Sequence, residues 1–166
     1  MSIWWSLHLR REAASVPLAR RLLLGTMETA GVDPDISFDL SVALTEACAN
    51  AVEHGGHGVH RDHGGHGGIS AGGARGVGVP YGTEAYHVTA YLDGDRCRIE
   101  VTDSGPGFPP ATVSRRRPAL AEHGRGLGLI AELSDHVRLR NRPGRGAVVS
   151  FDKMLKWRDD ALLKAS

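Results

Sequence analysis

Apolar positions change period several times along this 166-residue chain, and each change marks a predicted element. Residues 3–9 alternate loosely between apolar and polar, which predicts a strand. Residues 12–30 read as a helix with Leu18, Leu22, Leu23 and Met27 near one face and Gly31 as its stop. Asp33-Pro34-Asp35 opens a second helix, with Pro34 suited to the first turn, where a missing N–H costs nothing. Ile36, Leu40, Leu44, Ala47, Cys48 and Ala51 form its buried stripe. Residues 86–92 and 96–102 alternate on either side of Asp93-Gly94, a hairpin signal. A short helix is expected near 126–134, then a strand pair, 136–142 and 146–151, around Pro143-Gly144, and a weakly helical tail. Helices first and hairpin strands later predict an α+β fold: a two-layer α/β sandwich whose antiparallel-rich mixed sheet is covered on one face by helices.

Residues 54–85 break the pattern. Glycine dominates, and His54, His57, His60, His63 and His66 recur every third residue. There is little apolar surface to offset the entropy of ordering, so a disordered insertion at 56–85 is expected; the sharper reading is a histidine tract for zinc or nickel. His54 stands apart, because it belongs to the helical motif of residues 43–55. The expected organisation is one domain over residues 1–152, interrupted by that insertion, and a tail at 153–166.

The bulk numbers narrow the function classes. A hydrophobic fraction of 41% supplies a real core, and a net charge of +1 gives no global pull to nucleic acid or anionic membrane. Arg115-Arg116-Arg117 and the arginines from 138 to 145 read as solvated surface. No apolar run is long enough to cross a membrane, and no secretion signal is visible, so the cytoplasm is expected. Two cysteines make no disulfide framework, and Cys48 and Cys97 read as small core residues in a reducing compartment. Trp4-Trp5 either covers a sheet edge or an interface, or packs in the core.

Three motifs carry chemistry. In residues 43–55, Glu46 and Asn50 lie four apart and so share a helix face, while Ala43, Ala47 and Ala51 keep the neighbouring surface low. Asp103-Ser104-Gly105-Pro106-Gly107-Phe108 sets a carboxylate at a strand end, ahead of alternate glycines that let backbone approach a ligand. Residues 123–130, His-Gly-Arg-Gly-Leu-Gly-Leu-Ile, form a second glycine loop before a helix, a place where N–H groups can face phosphate. Each alone has a plain alternative in a solvated helix face or an ordinary turn. Together and in this order they point to an ATP site. The chain has no Gly-x-x-x-x-Gly-Lys-Ser/Thr loop and no Rossmann glycine spacing.

On these residues the chain resembles the gyrase-, Hsp90-, histidine-kinase- and MutL-like ATPases (GHKL), and within them the small anti-sigma factor serine/threonine kinases. Thr45 to His54 is similar to the family's Glu-x-x-x-Asn-Ala box, Asp103-x-Gly105-x-Gly107 to its first glycine box, and Gly124-Arg125-Gly126-Leu127-Gly128 to its second. The resemblance covers residues 7–55 and 86–152 and implies ATP held between helices and sheet. It implies Glu46 as the catalytic base, Asn50 as a magnesium ligand through ATP, and Asp103 as the acceptor for the adenine amine. Gly105, Gly107, Gly124, Arg125, Gly126, Leu127 and Gly128 would line the nucleotide. A carboxylate suits adenine over guanine, whose carbonyl it would repel. The implied function is an anti-sigma factor kinase that phosphorylates a STAS-type anti-sigma factor antagonist, binds a sigma factor, forms a homodimer and touches neither nucleic acid nor membrane. The alternatives are a non-catalytic ATP-dependent protein-binding switch and a stand-alone histidine-kinase catalytic domain.

Overall fold

The computed structural model describes residues 2–55, 85–105, 107–108, 125–142 and 146–161. Strand β1 (Ser2–Arg10) leads through a short 3-10 turn into helices α1 (Val16–Ala30) and α2 (Pro34–His54). The hairpin β2 (Ala85–Asp93) and β3 (Arg96–Thr102) follows, then helix α3 (Arg125–Leu133) and the pair β4 (His136–Arg142) and β5 (Gly146–Met154). The five strands form one sheet in the order β1-β2-β3-β5-β4, with every pairing antiparallel. This is the expected α+β two-layer sandwich, with a sheet that is antiparallel throughout the described strands and not mixed. The predicted insertion at 56–85 lies outside the described residues except for Ala85, which opens β2.

Strand alternation explains the layering. Val88, Ala90 and Leu92 of β2, Ile99 and Val101 of β3, and Val149 and Phe151 of β5 are buried and point to one side. They meet Leu23 and Met27 of α1, Leu40, Leu44, Ala47 and Cys48 of α2, and Leu127 and Ile130 of α3. Caps hold the helix ends where the sequence places them. Gly31 adopts φ 86° after α1, and the Asp33 carboxylate accepts a 2.8 Å hydrogen bond from Asp35 N–H ahead of α2.

Several local expectations change. The buried stripe of α1 is Ala19, Leu23, Met27 and Ala30, whereas Leu18 is 53% and Leu22 38% exposed. On the helical wheel Leu22 sits roughly a quarter-turn, and Leu18 more than a third of a turn, from the stripe's centre. The hairpin turn is Gly94-Asp95, because Asp93 already pairs with Arg96. The described part of the tail is not helical. Trp157 forms an antiparallel bridge with Val32, and Arg158 N–H reaches Gly31 O at 2.8 Å, so the chain beyond β5 closes over the α1–α2 turn. Both cysteines are buried, and burial pushes each thiol up to about 12, as expected of packing residues and not of reactive ones.

The other face of the sheet has no helix against it among the described residues. It carries Arg138, Arg140 and Arg142, as the solvated-surface reading expects, together with Trp4, which is 67% exposed. Its partner Trp5 faces the helical layer and packs on the core. Arg115-Arg116-Arg117 lies outside the described residues. On this open face His8 and His87 stack across β1 and β2 with ring centroids 4.1 Å apart, and His87 bonds to Ser6. Desolvation, then the neighbouring His8 and Arg142, lowers the His87 pKa from its ordinary 6.5. The fold therefore favours the neutral ring, and the unfolded chain binds the proton more readily. The His87 contribution is intact above about pH 6.5 and is lost as pH falls from there through the lower folded-state value. Wild type should accordingly lose more melting temperature between about pH 7.5 and pH 5.5 than His87→Gln. Identical pH profiles for the two proteins would contradict this.

Candidate functional site

The C-terminal half of α2 holds both chemical motifs of the helix and touches both glycine segments. Glu46 and Asn50 occupy one face, half-buried, and neither makes a hydrogen bond or ion pair among the described residues. Directly opposite lies Gly126 at the start of α3. A methyl group on Gly126 would stand 3.0 Å from Glu46 Oε2 and 3.4 Å from Asn50 Oδ1. A side chain at 126 would fit only if the ends of these two polar groups gave way slightly. One turn further on, α2 ends at Gly55, where a Cβ would fall 2.8 Å from the Asp103 Cβ. A Cβ on Gly105 would fall 2.7 Å from His54 O and 2.9 Å from the Gly55 backbone. The Asp103 loop therefore packs backbone to backbone on the end of α2.

Asp103 follows the last residue of β3. Its N–H donates to Ala147 O at 3.0 Å, which extends the β3–β5 ladder by one step. Its Oδ1 accepts from Gly105 N–H at 2.8 Å and from Ala147 N–H at 3.2 Å. These bonds fix the carboxylate against the loop and leave Oδ2 without a hydrogen bond among the described residues. That oxygen is the acceptor available to a ligand amine. Gly146, at φ 93°, makes the arrangement possible, because a side chain there would run into the Asp103 carbonyl and the Gly105 nitrogen.

The structure thus brings Glu46, Asn50, Asp103, Gly105 and Gly126 around the C-terminal half of one helix. Gly107 is also described, at φ 84° in the Asp103 loop. The second glycine motif differs from expectation. Helix α3 already begins at Arg125, so Gly126 and Gly128 are helical, not loop residues. The physical reason at Gly126 is its close approach to Glu46 and Asn50. Leu127 is 1% exposed in the core, so only its backbone faces outward chemistry. Gly124 and the Arg125 side chain lie outside the described residues. The first described turn of α3 approaches Glu46 and Asn50 at Gly126. No group of three or more His, Cys, Asp or Glu able to hold a metal occurs among the described residues, and the predicted histidine tract falls outside them.

Three participants are not visible from the sequence motifs: Gly55 as a contact for Asp103, Gly146, and Asn141. Asn141 Oδ1 accepts from Phe108 N–H at 2.7 Å, and its Nδ2 donates to Phe108 O at 2.8 Å. A usable signal existed for Asn141: it is the polar member of the inward series Val137, Leu139, Asn141.

The sequence model of the family described as "Histidine kinase-like ATPase domain" matches residues 9–153. No curated protein matches. Among solved structures, the chain is similar to the crystal structure of the RsbU and RsbW domains of Rv1364c from Mycobacterium tuberculosis, at 21% identity and a TM-score of 0.58. That likeness covers 91% of this chain and 32% of the other, so this chain spans about a third of the length of that structure. At this identity the likeness concerns the fold.

The contacts at the two glycines predict opposite outcomes for the same substitution. Gly105→Ala must push the loop off α2 and should lower stability by about 1–3 kcal/mol. Gly126→Ala meets only the movable end of Glu46 and gains helix propensity of up to about 1 kcal/mol, so its stability should stay level or rise. Urea unfolding of both variants checks this. A Gly105→Ala protein as stable as wild type would disprove the backbone contact.

Proposed function

The chain belongs to the histidine kinase-like ATPase domain family, and from that premise we propose that it is an anti-sigma factor kinase, transferring the γ-phosphoryl group of ATP to a serine or threonine of an anti-sigma factor antagonist. The observation that carries the proposal is the meeting of Glu46, Asn50 and Gly126 in one half-buried, unpaired polar cluster, with the fixed Asp103 carboxylate a turn and a half away along α2. Adenine fits at Asp103, where Oδ2 accepts the exocyclic amine. The phosphates fit against the N–H groups at the start of α3.

The residues present suit magnesium bound together with a polyphosphate. Asn50 Oδ1 is an uncharged oxygen ligand, and Gly126 leaves space beside it. When bound, the ion would neutralise phosphate charge and orient the terminal phosphoryl group. Glu46 stands one turn from Asn50 and accepts the proton of the attacking hydroxyl. In the transfer, the hydroxyl oxygen forms a bond to the γ-phosphorus, the bond to the bridging oxygen breaks, and ADP leaves. Because Glu46 has no cation paired to it among the described residues, its charge is available for that proton.

The proposal extends to partners. The fold likeness to a structure of RsbU and RsbW domains accords with the motif resemblance, and on that resemblance the partners are a STAS-type antagonist and a sigma factor. A homodimer is supported by β1, whose outer edge has no strand beside it among the described residues, and by Leu18, Leu22 and Trp4 exposed on and beside it. No helix among the described residues is long and apolar enough to cross a membrane. A cytoplasmic setting is supported by the two free, buried thiols.

Glu46→Gln keeps the side chain's shape and removes its basicity. It should lower phosphoryl transfer by about 10²–10⁴-fold while Mg-ATP still binds. Asn50→Ala should lose transfer and the magnesium dependence of ATP binding together. The check is phosphate transfer to a serine-bearing antagonist, measured beside ATP titration. Equal transfer by wild type and Glu46→Gln would remove Glu46 as the base. ATP binding without transfer by wild type would favour a non-catalytic switch.

A further inference from the structure

Strand order places two residues from distant parts of the chain in one row at the site end of the sheet. Because β5 lies between β3 and β4, Ala147 faces Asp103 on one side and Asn141 on the other. Asn141 has the same parity as Val137 and Leu139, so it points to the helix side of the sheet, as does Asp103. Its amide then grips the backbone of Phe108 twice, with both bonds shorter than 2.9 Å. In effect Asn141 acts as one more rung of ladder, built from a side chain.

The loop is shaped to receive that grip. Gly107 adopts φ 84°, and a Cβ there would lie 2.6 Å from Asn141 Oδ1. Phe108 packs its ring against the core, so the segment is held at its backbone and at its side chain. The grip also joins the two halves of the site. Residues 103–108 carry the Asp103 carboxylate, while β4 follows α3 after only Ser134 and Asp135, and α3 carries Gly126 beside Glu46 and Asn50.

We propose that Asn141 is a positioning residue of this site: its amide locks Gly107–Phe108 and so sets the Asp103 loop at a fixed distance from the start of α3. The inference rests on the nucleotide reading above, since the fixed distance is the one between the adenine and phosphate ends of a single ligand. Both polar atoms of the Asn141 amide are engaged by the Phe108 backbone. It acts through the loop, so its loss should weaken binding of a nucleotide that spans both ends while the core stays intact. Asn141 is exposed at the end of an edge strand, so the two bonds contribute little to global stability.

The experiment compares wild type, Asn141→Ala, Asn141→Asp and, as a control on the same strand, Arg138→Ala. Three quantities are read: amide hydrogen exchange at Phe108 without ligand, melting temperature, and calorimetric affinity for Mg-ATP. Asn141→Ala should speed exchange at Phe108 by about tenfold or more, barely move the melting point, and weaken Mg-ATP binding by about tenfold. Asn141→Asp keeps the acceptor for Phe108 N–H but sets a carboxylate against Phe108 O, so it should fall between. Arg138→Ala should match wild type. Fast exchange at Phe108 with unchanged affinity would overturn the positioning role and leave the nucleotide site standing. Unchanged exchange would overturn the grip itself. A wild type that binds no nucleotide would overturn the site reading, and the positioning role with it.

Discussion

Everything at this site depends on one steric constraint: the C-terminal turns of α2 are approached by backbone on two sides, so closely at Gly105 that no side chain fits and at Gly126 that one would displace the ends of Glu46 and Asn50. Gly126 approaches at Glu46 and Asn50, and Gly105 approaches at His54 and Gly55. A helix whose polar face were merely solvated would need neither glycine. With them, the helix becomes a common wall for a carboxylate-bearing loop and for the first described turn of a second helix. The small residues Ala43, Ala47 and Ala51 serve the same end from within, since they let α2 sit low on the core while Glu46 and Asn50 stay above it.

The sheet supplies the complementary half. Asp103 could serve a ligand only if its carboxylate were held still, and two backbone donors hold it: Gly105 from its own loop and Ala147 from β5. The second donor exists because β5 inserts between β3 and β4, and because Gly146 takes a backbone conformation that clears the Asp103 carbonyl. One oxygen is thereby committed to structure, and the other has no hydrogen bond among the described residues and is the one proposed for adenine. A substitution that deletes the whole carboxylate would disturb both roles at once, which makes Asp103→Asn the cleaner probe: the side-chain oxygen can keep the backbone bonds, while an NH₂ replaces the acceptor.

Much of this was legible in the sequence, for physical reasons. Residues four apart on a helix must share a face, so Glu46 and Asn50 could be paired without coordinates. Alternation in 86–92 and 96–102 could mean little but a hairpin, and the order of helices and strands bounded the layer arrangement. Long-range geometry was not legible. Nothing local states that β5 lies between β3 and β4, so the row Asp103–Ala147–Asn141 could not be read, nor the need for glycine at 55 and 146. The start of α3 at Arg125 was hidden because glycines argue for a loop, while at Gly126 the glycine serves contact inside a helix. Leu18 and Leu22 are apolar yet exposed, because the wheel angle separates them from Ala19 and Leu23, and hydrophobicity alone does not carry that angle.

The central claim is that α2 and the Asp103 loop form an adenine nucleotide site. Calorimetric titration with Mg-ATP and Mg-GTP, on wild type and on Asp103→Asn, tests it most directly. Wild type should bind ATP and strongly prefer it to GTP. Asp103→Asn should weaken ATP binding by roughly 10–150-fold through loss of a charged hydrogen bond, with little change in fold. No ATP binding by wild type, equal affinity for GTP, or unchanged ATP affinity in Asp103→Asn would contradict it.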